Sequence, residues 1–322
     1  MNKYILVSLF ALSLIIICTS CGKENEEIIV SPFIQELTLN NYPKVDGSTS
    51  AAPLNTIIAS KVLGVDYKWK YGMTNSVEPI LDKRNMEIFW QRIKSSQTHE
   101  SFINLINKET DLILSARKMS SDEKAHADAL GVTLIETPIA YDAFVFIINP
   151  DNPVGSLSIG QIQDIYTGQI TNWAQAGGRS ERINAYVRNP NSGSQELMET
   201  LVMKGLDIID LEENTYELIF SMAGALDAVR RDPNGICYTV YYYMNYIASD
   251  SFNPYYGHKA LAIEGVYPEY QTIANKSYPL VAEVYAVIRS DLDKSSMAYK
   301  LYEWIQTEMG KQTIYNSGYI PY

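Results

Sequence analysis

A strand, a turn and a helix start follow one another in the stretch Val187-Arg188-Asn189-Pro190-Asn191-Ser192-Gly193-Ser194-Gln195-Glu196-Leu197. The Pro, Asn and Gly residues mark the turn, and the hydroxyls of Ser192 and Ser194 stand at the first turn of the predicted helix. Backbone N–H groups there have no intrahelical partner and carry partial positive charge. With the fixed cation of Arg188 they suit an oxyanion. An ordinary capping box formed by Ser192 and Gln195, beside a surface arginine, explains the same residues.

Two other helix starts carry similar hydroxyl groups. These are Ser48, Thr49 and Ser50 before one helix, and Ser95, Ser96 and Thr98 before another. The first set holds more hydroxyls than the one N-cap that a helix needs, although the alternative is that Ser48, Thr49 or Ser50 is simply that cap. In open α/β sheets, ligands bind outside the carboxyl ends of the strands. If these helix starts face one cleft, their amides and hydroxyls surround a small tetrahedral anion together with Arg188.

Strands and helices alternate along the chain, which predicts an α/β fold with mainly parallel sheets. A length of 322 residues is sufficient for two lobes, each with its own core. The longest strand-like run, residues 132–150, is long enough to pass from one lobe into the other. Residues 65–94 show no clean period and predict an irregular excursion or a short pair of helices. Residues 295–309 predict an amphipathic helix that ends at Gly310.

The first twenty residues have the pattern of a targeting segment. Lys3 provides the charged start, residues 5–17 form a short apolar core, and small residues precede Cys21. The pattern predicts a bacterial lipoprotein signal, residues 1–20, with lipid on the Cys21 sulfur; a plain secretory signal is the alternative. Residues 21–36 are then a polar tether. We therefore expect a protein of the cell envelope that is anchored in a membrane and is periplasmic or surface-exposed.

The formal net charge of −11 limits the partners of the protein. Such a chain repels nucleic acid over most of its surface, so no nucleic-acid partner is expected. An anionic ligand must be held by short-range hydrogen bonds in a local pocket. The three histidines are far apart in the sequence, and we expect no metal and no cofactor. Cys237 is expected to be a buried apolar residue without a disulfide partner.

Two other classes of function compete with anion binding. A secreted hydrolase could use Ser48, Ser50 or Ser192 as its nucleophile, but it needs an activating base or a metal. The sequence contains neither a Gly-x-Ser-x-Gly elbow nor a His/Asp/Glu metal cluster. A lipid-anchored interaction module that keeps the fold without the ligand is the third class. Anion binding without catalysis is the function that these residues favour.

The order of motifs from Val45 to Pro321 resembles the PstS-like family, the phosphate-binding proteins of bacterial ABC phosphate importers. That family belongs to the periplasmic type II solute-binding proteins. The segments that carry the resemblance are Asp46–Ser50 with Pro53, Asp111–Arg117, Asn149–Val154, Gly168–Trp173, Arg188 with Ser192–Ser194, Asn234–Tyr238, Ser277–Leu280 and Gly318–Pro321. Each segment is weak alone, whereas their common order is specific.

The resemblance implies two lobes that are joined by two crossing segments and close on phosphate like a hinge. Residues 37–141 and 264–322 then form lobe 1, and residues 142–263 form lobe 2. Inorganic phosphate is the implied ligand, ABC transporter permease subunits are the implied partners, and the lipid on Cys21 attaches the protein to the membrane. The protein is expected to be a monomer and not an enzyme.

The family's ligand residues can be carried over to matching positions of this chain. Those in the first lobe are Thr49 and Ser50, with Ser48 beside them, and Ser95 or Ser96 at the next helix start; those in the second lobe are Arg188, Ser192, Gly193 and Ser194. Thr98 is a further candidate without a firm counterpart. Many relatives have an aspartate after the third strand, where this chain has Ala116 and Arg117. Asp142 could replace that aspartate, and Arg117 could add a second cation or form a surface pair. Without such a carboxylate, sulfate or another tetrahedral oxyanion is the alternative ligand.

Overall fold

The computed structural model describes residues 29–209, 218–248 and 257–322. The predicted signal and Cys21 lie outside the described residues. The strands are β1 Val45–Gly47, β2 Tyr67–Lys70, β3 Ser76–Pro79, β4 Leu112–Ser115, β5 Leu134–Ile148, β6 Ser156–Leu157, β7 Asn184–Ala185, β8 Val187–Arg188, β9 Leu218–Ile219, β10 Gly235–Val240, β11 Lys259–Ala260, β12 Ala262–Ile263, β13 Val281–Arg289 and β14 Ile320–Pro321.

Helices alternate with these strands, which confirms the predicted α/β fold. They are α1 Ala52–Leu63, α2 Lys83–Arg92, α3 Thr98–Ile106, α4 Ser121–Ala129, α5 Ile159–Tyr166, α6 Gly193–Leu197, α7 Met222–Arg231, α8 Tyr270–Ala274, α9 Met297–Ile305 and α10 Glu308–Asn316. A short 3₁₀ helix, Thr49–Ala51, leads directly into α1. No helix in the described ranges is long and apolar enough to span a membrane.

The largest sheet has the strand order β1-β4-β13-β5-β10-β7. Its two ends are parallel pairs, β1 with β4 and β10 with β7. The pairs between them are antiparallel. We refer to the part built on β1, β4 and β13 as the first lobe and to the part built on β10 and β7 as the second lobe. Each lobe thus has a parallel pair whose carboxyl ends lead into a helix or loop of the kind that binds ligands.

The long strand β5 belongs to both parts of the sheet. Residues 134–143 of β5 pair with β13, and residues 144–148 pair with β10. Every position from Ala143 to Ile148 is buried, as expected for an apolar strand that is covered on both faces. The prediction of one long strand over residues 132–150 is therefore confirmed within two residues at each end.

Two sequence predictions of local structure were wrong. Residues 65–94 are not irregular: β2 and β3 form an antiparallel hairpin, and α2 follows. In β2, Tyr67 and Trp69 alternate with two lysines. This alternation covers only one short strand, so it is not recognisable as a strand pattern among the neighbouring aromatic residues. The single helix predicted over residues 295–309 is two helices, because Thr307 caps α10 by accepting a hydrogen bond from the Gly310 amide at 3.2 Å. Gly310 packs against the end of α9, where a Cβ would lie 2.2 Å from the Ile305 carbonyl oxygen.

Cys237 lies in β10, is fully buried and has a free thiol. Burial raises the pKa of this thiol to about 12, which keeps it neutral and unreactive. The expectation of a buried, unpaired cysteine is confirmed.

Candidate functional site

A cavity of about 30 Å³ lies between the two lobes. We call it the inter-lobe cavity. The predicted ligand residues that line it are Ser48, Thr49, Ser50, Thr98, Arg188, Ser192, Gly193 and Ser194. It is also lined by residues that sequence reasoning missed, namely Gln97, Ala116, Leu197, Met222 and Val240. The structure thus brings the three hydroxyl-rich helix starts to one place.

The first wall of the cavity is the loop that follows β1. Gly47 lies so close to β4 that a Cβ would be 2.4 Å from the Leu114 carbonyl oxygen, so a glycine is required there. The next amide, that of Ser48, donates to the same carbonyl at 3.0 Å. Ser48 Oγ accepts from the Ala116 amide at 2.9 Å and lies 2.9 Å from Thr98 Oγ1. Tight packing of β1 on β4 therefore fixes the Ser48 hydroxyl in the cavity wall.

The second wall is the start of α3. The buried Asp46 carboxylate accepts from the Ser96 amide at 2.8 Å and from Asn104 Nδ2 at 3.0 Å, which ties the preceding loop to β1. Gln97, the residue before α3, has a φ of 74°, a conformation that is costly for a non-glycine residue. Neither α3 nor the Thr49–Ala51 helix has a side-chain N-cap. The alternative that Ser48, Thr49 or Ser50 is simply a side-chain cap is therefore wrong.

Two of the predicted hydroxyl ligands belong to the loop behind the cavity. Ser95 Oγ donates to the Gly47 carbonyl at 3.4 Å, and the Ser96 amide is engaged by Asp46. Neither residue is part of the cavity lining. Thr98, one turn further on, is the hydroxyl of this set that the structure places on the wall.

The second lobe contributes a buried arginine. Arg188 is only 4% exposed, its Nε donates to the Ile219 carbonyl at 3.1 Å, and its Nη1 has no hydrogen-bond partner. Its backbone amide donates to the Tyr238 hydroxyl at 2.9 Å. Burial lowers the pKa of Arg188 below its ordinary value. No carboxylate within the described ranges forms an ion pair with it, so among these residues the buried guanidinium has no counter-charge.

The start of α6 completes the second lobe's wall. Ser192 Oγ accepts from the Gln195 amide at 3.1 Å, so Ser192 is the N-cap of α6 and also lines the cavity. The full capping box is not formed, because Gln195 Oε1 accepts from the Tyr238 hydroxyl and the Ser192 amide donates to the Asn189 carbonyl at 2.9 Å. Gly193 faces Thr98 across the cleft: a Cβ at Gly193 would lie 2.5 Å from Thr98 Oγ1. The lobes therefore touch at this point, and the cleft is closed.

The two remaining candidates lie away from the cavity. Arg117 Nη2 is 2.7 Å from Glu123 Oε1 and its Nη1 is 2.8 Å from Glu123 Oε2, a buried bidentate pair beside a neighbouring groove. Asp142 Oδ1 accepts from the amides of Ala143 and Tyr242 at 2.8 and 2.9 Å, and its Oδ2 has no partner. Burial raises the pKa of Asp142 to about 7. Neither residue lines the cavity, and the described residues that do line it include no carboxylate.

The arrangement suits a small anion. Pockets for drug-sized ligands occupy roughly 300–1,000 Å³, so this cavity accommodates only a compact group. Its polar lining consists of hydroxyls, one amide side chain and one guanidinium. Among the residues that the structure describes, no cluster of His, Cys, Asp and Glu could hold a metal. The chemistry offered is hydrogen-bond donation to negatively charged oxygens.

Comparison of this sequence with known proteins identifies the family to which the chain belongs. The family model of the PBP superfamily domain matches residues 42–308. Curated relatives include the phosphate-binding protein PstS of Bacillus subtilis, 25% identical over 62% of this chain, and that of Borreliella burgdorferi, 23% identical over 77% of this chain. These matches span 61% and 88% of the two relatives, so the chain matches less than two thirds of the Bacillus protein's length.

Solved structures give the same fold. A phosphate ABC transporter substrate-binding protein from Clostridium perfringens with bound phosphate superposes with a TM-score of 0.61 at 22% identity, covering 86% of this chain and 98% of its own. An ABC-type phosphate transport receptor from Vibrio cholerae gives 0.60 at 21% identity with the same coverage. At this identity the likeness establishes a shared two-lobed α/β architecture. Because the family model covers most of the chain, from Tyr42 in front of β1 to Glu308 at the start of α10, the protein belongs to the PBP superfamily.

Proposed function

We propose that this protein binds inorganic phosphate in the inter-lobe cavity and does not transform it. The observation that carries the proposal is the Arg188 guanidinium, which lies buried among the hydroxyls of two lobes and has no carboxylate partner in the part of the chain that the structure describes. A buried unpaired charge is costly unless a ligand neutralises it. The names of the curated relatives, which are phosphate-binding proteins, favour phosphate over other tetrahedral anions.

The hydrogen-bond inventory supports binding by donation. Arg188 Nη1 lacks a partner, and α3 begins without a side-chain cap, so amide and guanidinium hydrogens are available to a ligand. Hydrogen bonds to a charged group contribute about 1.5–3 kcal/mol each. Several such bonds offset the desolvation of the anion and the long-range repulsion by a chain with a net charge of −11.

Catalysis has no support in the arrangement of the lining. The Ser48 hydroxyl has Thr98 and the Ala116 amide as its partners, and the lining includes no histidine that could act as a base. A serine nucleophile without a base is weak at neutral pH. We therefore infer a binding protein and not a hydrolase.

Calorimetry of the purified protein with phosphate, arsenate, sulfate and molybdate tests the proposal. We expect saturable 1:1 binding of phosphate and no release of phosphate from an aryl phosphate. No heat with any of the anions would contradict an anion-binding function, and turnover of the ester would favour the hydrolase. A protein that binds sulfate but not phosphate would be a receptor for a different anion.

Membrane attachment and transport complete the proposal. We infer that Cys21 carries lipid, that the protein is a monomer in the cell envelope, and that it delivers phosphate to the permease subunits of an ABC importer. The small residues in front of Cys21 support the first inference, and the names of the relatives support the last.

Cys21→Ala is expected to move the protein from the membrane to the soluble fraction. Removal of the protein is expected to lower phosphate uptake by cells at low external phosphate, and unchanged uptake would contradict the transport role.

A further inference from the structure

The charge of the cavity lining bears on which anions it accepts. Among the lining residues that the structure describes, Arg188 carries a charge and none is a carboxylate. An ionised carboxylate in an anion site accepts a proton from the ligand and repels a ligand that has none, a penalty that excludes fully ionised anions. The described lining of this cavity contains no carboxylate that would repel a fully ionised anion in this way. Hydrogen phosphate nevertheless carries one P–OH group, and that proton needs an acceptor when it is buried.

Ser48 and Thr98 can supply the acceptor. Their hydroxyl oxygens are 2.9 Å apart, and either can be the donor of the bond between them. Among the lining hydroxyls that the structure describes, this is the one pair in hydrogen-bond contact. Ser48 Oγ also accepts from the Ala116 amide, so one of its acceptor positions is always filled. Each hydroxyl has one hydrogen and two lone pairs, and rotation about the C–O bond reassigns them.

Two hydrogen arrangements of the pair follow from this geometry. In the first, Ser48 donates to Thr98, and the Thr98 hydrogen points to a ligand oxygen that carries negative charge. In the second, Thr98 donates to Ser48, and Thr98 Oγ1 accepts the hydrogen of a P–OH group. The heavy atoms do not move between the two, and no charge is created in the cavity.

We propose that the Ser48–Thr98 pair is an adaptable donor and acceptor that lets the cavity bind both hydrogen phosphate and the fully ionised sulfate dianion. This inference rests on the proposed anion site and concerns its specificity. Thr98 is suited to the role because it lies at the contact between the lobes, opposite Gly193. Its hydroxyl is therefore held against a ligand enclosed by the closed cleft.

The test compares phosphate with sulfate by calorimetry of the purified protein at a mildly alkaline pH, where both anions carry about two negative charges. In the wild type we expect the two dissociation constants to agree within about tenfold. Sulfate binding more than about a hundredfold weaker than phosphate binding would overturn the inference. Binding of neither anion would instead contradict the proposed function itself.

Variants of the pair separate this role from a merely structural one. In Thr98→Val, hydrogen phosphate loses the acceptor for its proton while sulfate loses only a donor, so we expect the phosphate-to-sulfate affinity ratio to fall about tenfold. Ser48→Ala removes the group that receives the Thr98 hydrogen and is expected to shift the ratio in the same direction. Thr98→Ser keeps the pair and should keep the ratio. Equal weakening of both anions in both variants would overturn the inference.

Discussion

Arg188 is the side chain on which anion binding in the inter-lobe cavity depends most directly. Its guanidinium is buried, and Nη1 has no hydrogen-bond partner among residues 29–209, 218–248 and 257–322. Arg188→Ala is expected to weaken phosphate binding by at least ~2 kcal/mol, or about thirtyfold, the scale of a charged hydrogen-bond partner removed from a buried site. Calorimetric titration of the variant measures the loss.

A surface arginine provides the matched control for Arg188. Arg182 is exposed, lies six positions earlier in the same lobe, and its replacement by alanine changes the net charge equally. Arg182→Ala should bind phosphate like the wild type. Equal losses in the two variants would mean that Arg188 acts through the overall charge and not through contact with the anion.

Asp142 gives a prediction about stability and pH. Burial raises its pKa to about 7, whereas an aspartate in an unfolded chain titrates near about 3.9. The folded protein holds this proton more tightly, so the carboxyl group contributes its full stabilisation below the unfolded pKa. That contribution is lost as the pH rises through about 7, at roughly 1.4 kcal/mol for each unit of pKa difference.

Asp142→Asn removes this titration and retains an oxygen for the Ala143 and Tyr242 amides. The free energy of unfolding of the wild type should therefore fall more steeply between about pH 4 and about pH 8 than that of the variant. Urea titrations across this range give both curves, and Asp151→Asn, at an exposed carboxylate, gives the background. Parallel curves for the wild type and Asp142→Asn would contradict the assignment.

Residue types and motif order were enough to predict most of the polar cavity lining. They did not predict its apolar members, or which hydroxyl at the start of α3 faces the cavity. Arg188, Ser192 and the hydroxyls after β1 carry a recognisable pattern, whereas Val240 and Met222 look like any apolar residue. Which hydroxyl of the α3 start faces the cavity depends on the positive φ of Gln97 and on the Asp46 bond to the Ser96 amide. Such a conformation is set by tertiary contacts and has no local sequence signal.

At the scale of elements, the β2–β3 hairpin is hydrogen-bonded to the segment that follows β10. The Asn75 amide donates to the Ile247 carbonyl at 2.7 Å, and Asn75 Nδ2 donates to the Tyr246 carbonyl at 3.0 Å. Both acceptors follow β10 of the second lobe, while the hairpin packs against α1 of the first. The sequence did not predict this contact, because its two sides are 171 residues apart along the chain.

Asn75→Ala removes the side-chain bond of this bridge and keeps the backbone bond. One hydrogen bond contributes about 0.5–1.5 kcal/mol, so we expect phosphate to dissociate about three to ten times faster. Stopped-flow fluorescence can follow the release, since Trp90 lines the same groove as Asn75. Ser76→Ala, at an exposed position of the same hairpin, should leave the rate unchanged. Unaltered release from Asn75→Ala would show that the hairpin does not hold the lobes together.

At the scale of the whole molecule, the α/β architecture followed from the alternation of strands and helices, and the shared strand β5 followed from its length. The contact between the two lobes could not be predicted from the sequence. It depends on how two rigid surfaces meet, which is a matter of shape at particular points such as Gly193 and Thr98. A glycine in a Ser-Gly-Ser turn suggests backbone freedom, yet Gly193 is not among the glycines with positive φ. Its small size, and not its flexibility, is what the closed cleft requires.

Gly193→Ala therefore tests closure without altering a hydrogen-bonding group. The added Cβ would lie 2.5 Å from Thr98 Oγ1 and 3.2 Å from Thr98 Cβ, so the lobes must separate slightly or Thr98 must shift. Overpacking of this kind typically costs about 1–3 kcal/mol, and here we expect it to fall on the closed state alone. Phosphate should bind roughly tenfold more weakly, while the unfolding free energy of the ligand-free protein stays close to that of the wild type.

Small-angle scattering distinguishes obstructed closure from the loss of a contact to phosphate. At saturating phosphate, Gly193→Ala should retain a larger radius of gyration than the wild type, whereas Arg188→Ala at saturation should close fully. Gly160→Ala is the matched control, because Gly160 is exposed in α5 and an added Cβ there approaches nothing closer than 3.8 Å. If Gly193→Ala binds and compacts like this control, the Gly193–Thr98 contact does not limit closure. Both affinity and compaction must change together, since the same closed state encloses the anion and brings the two lobes into contact.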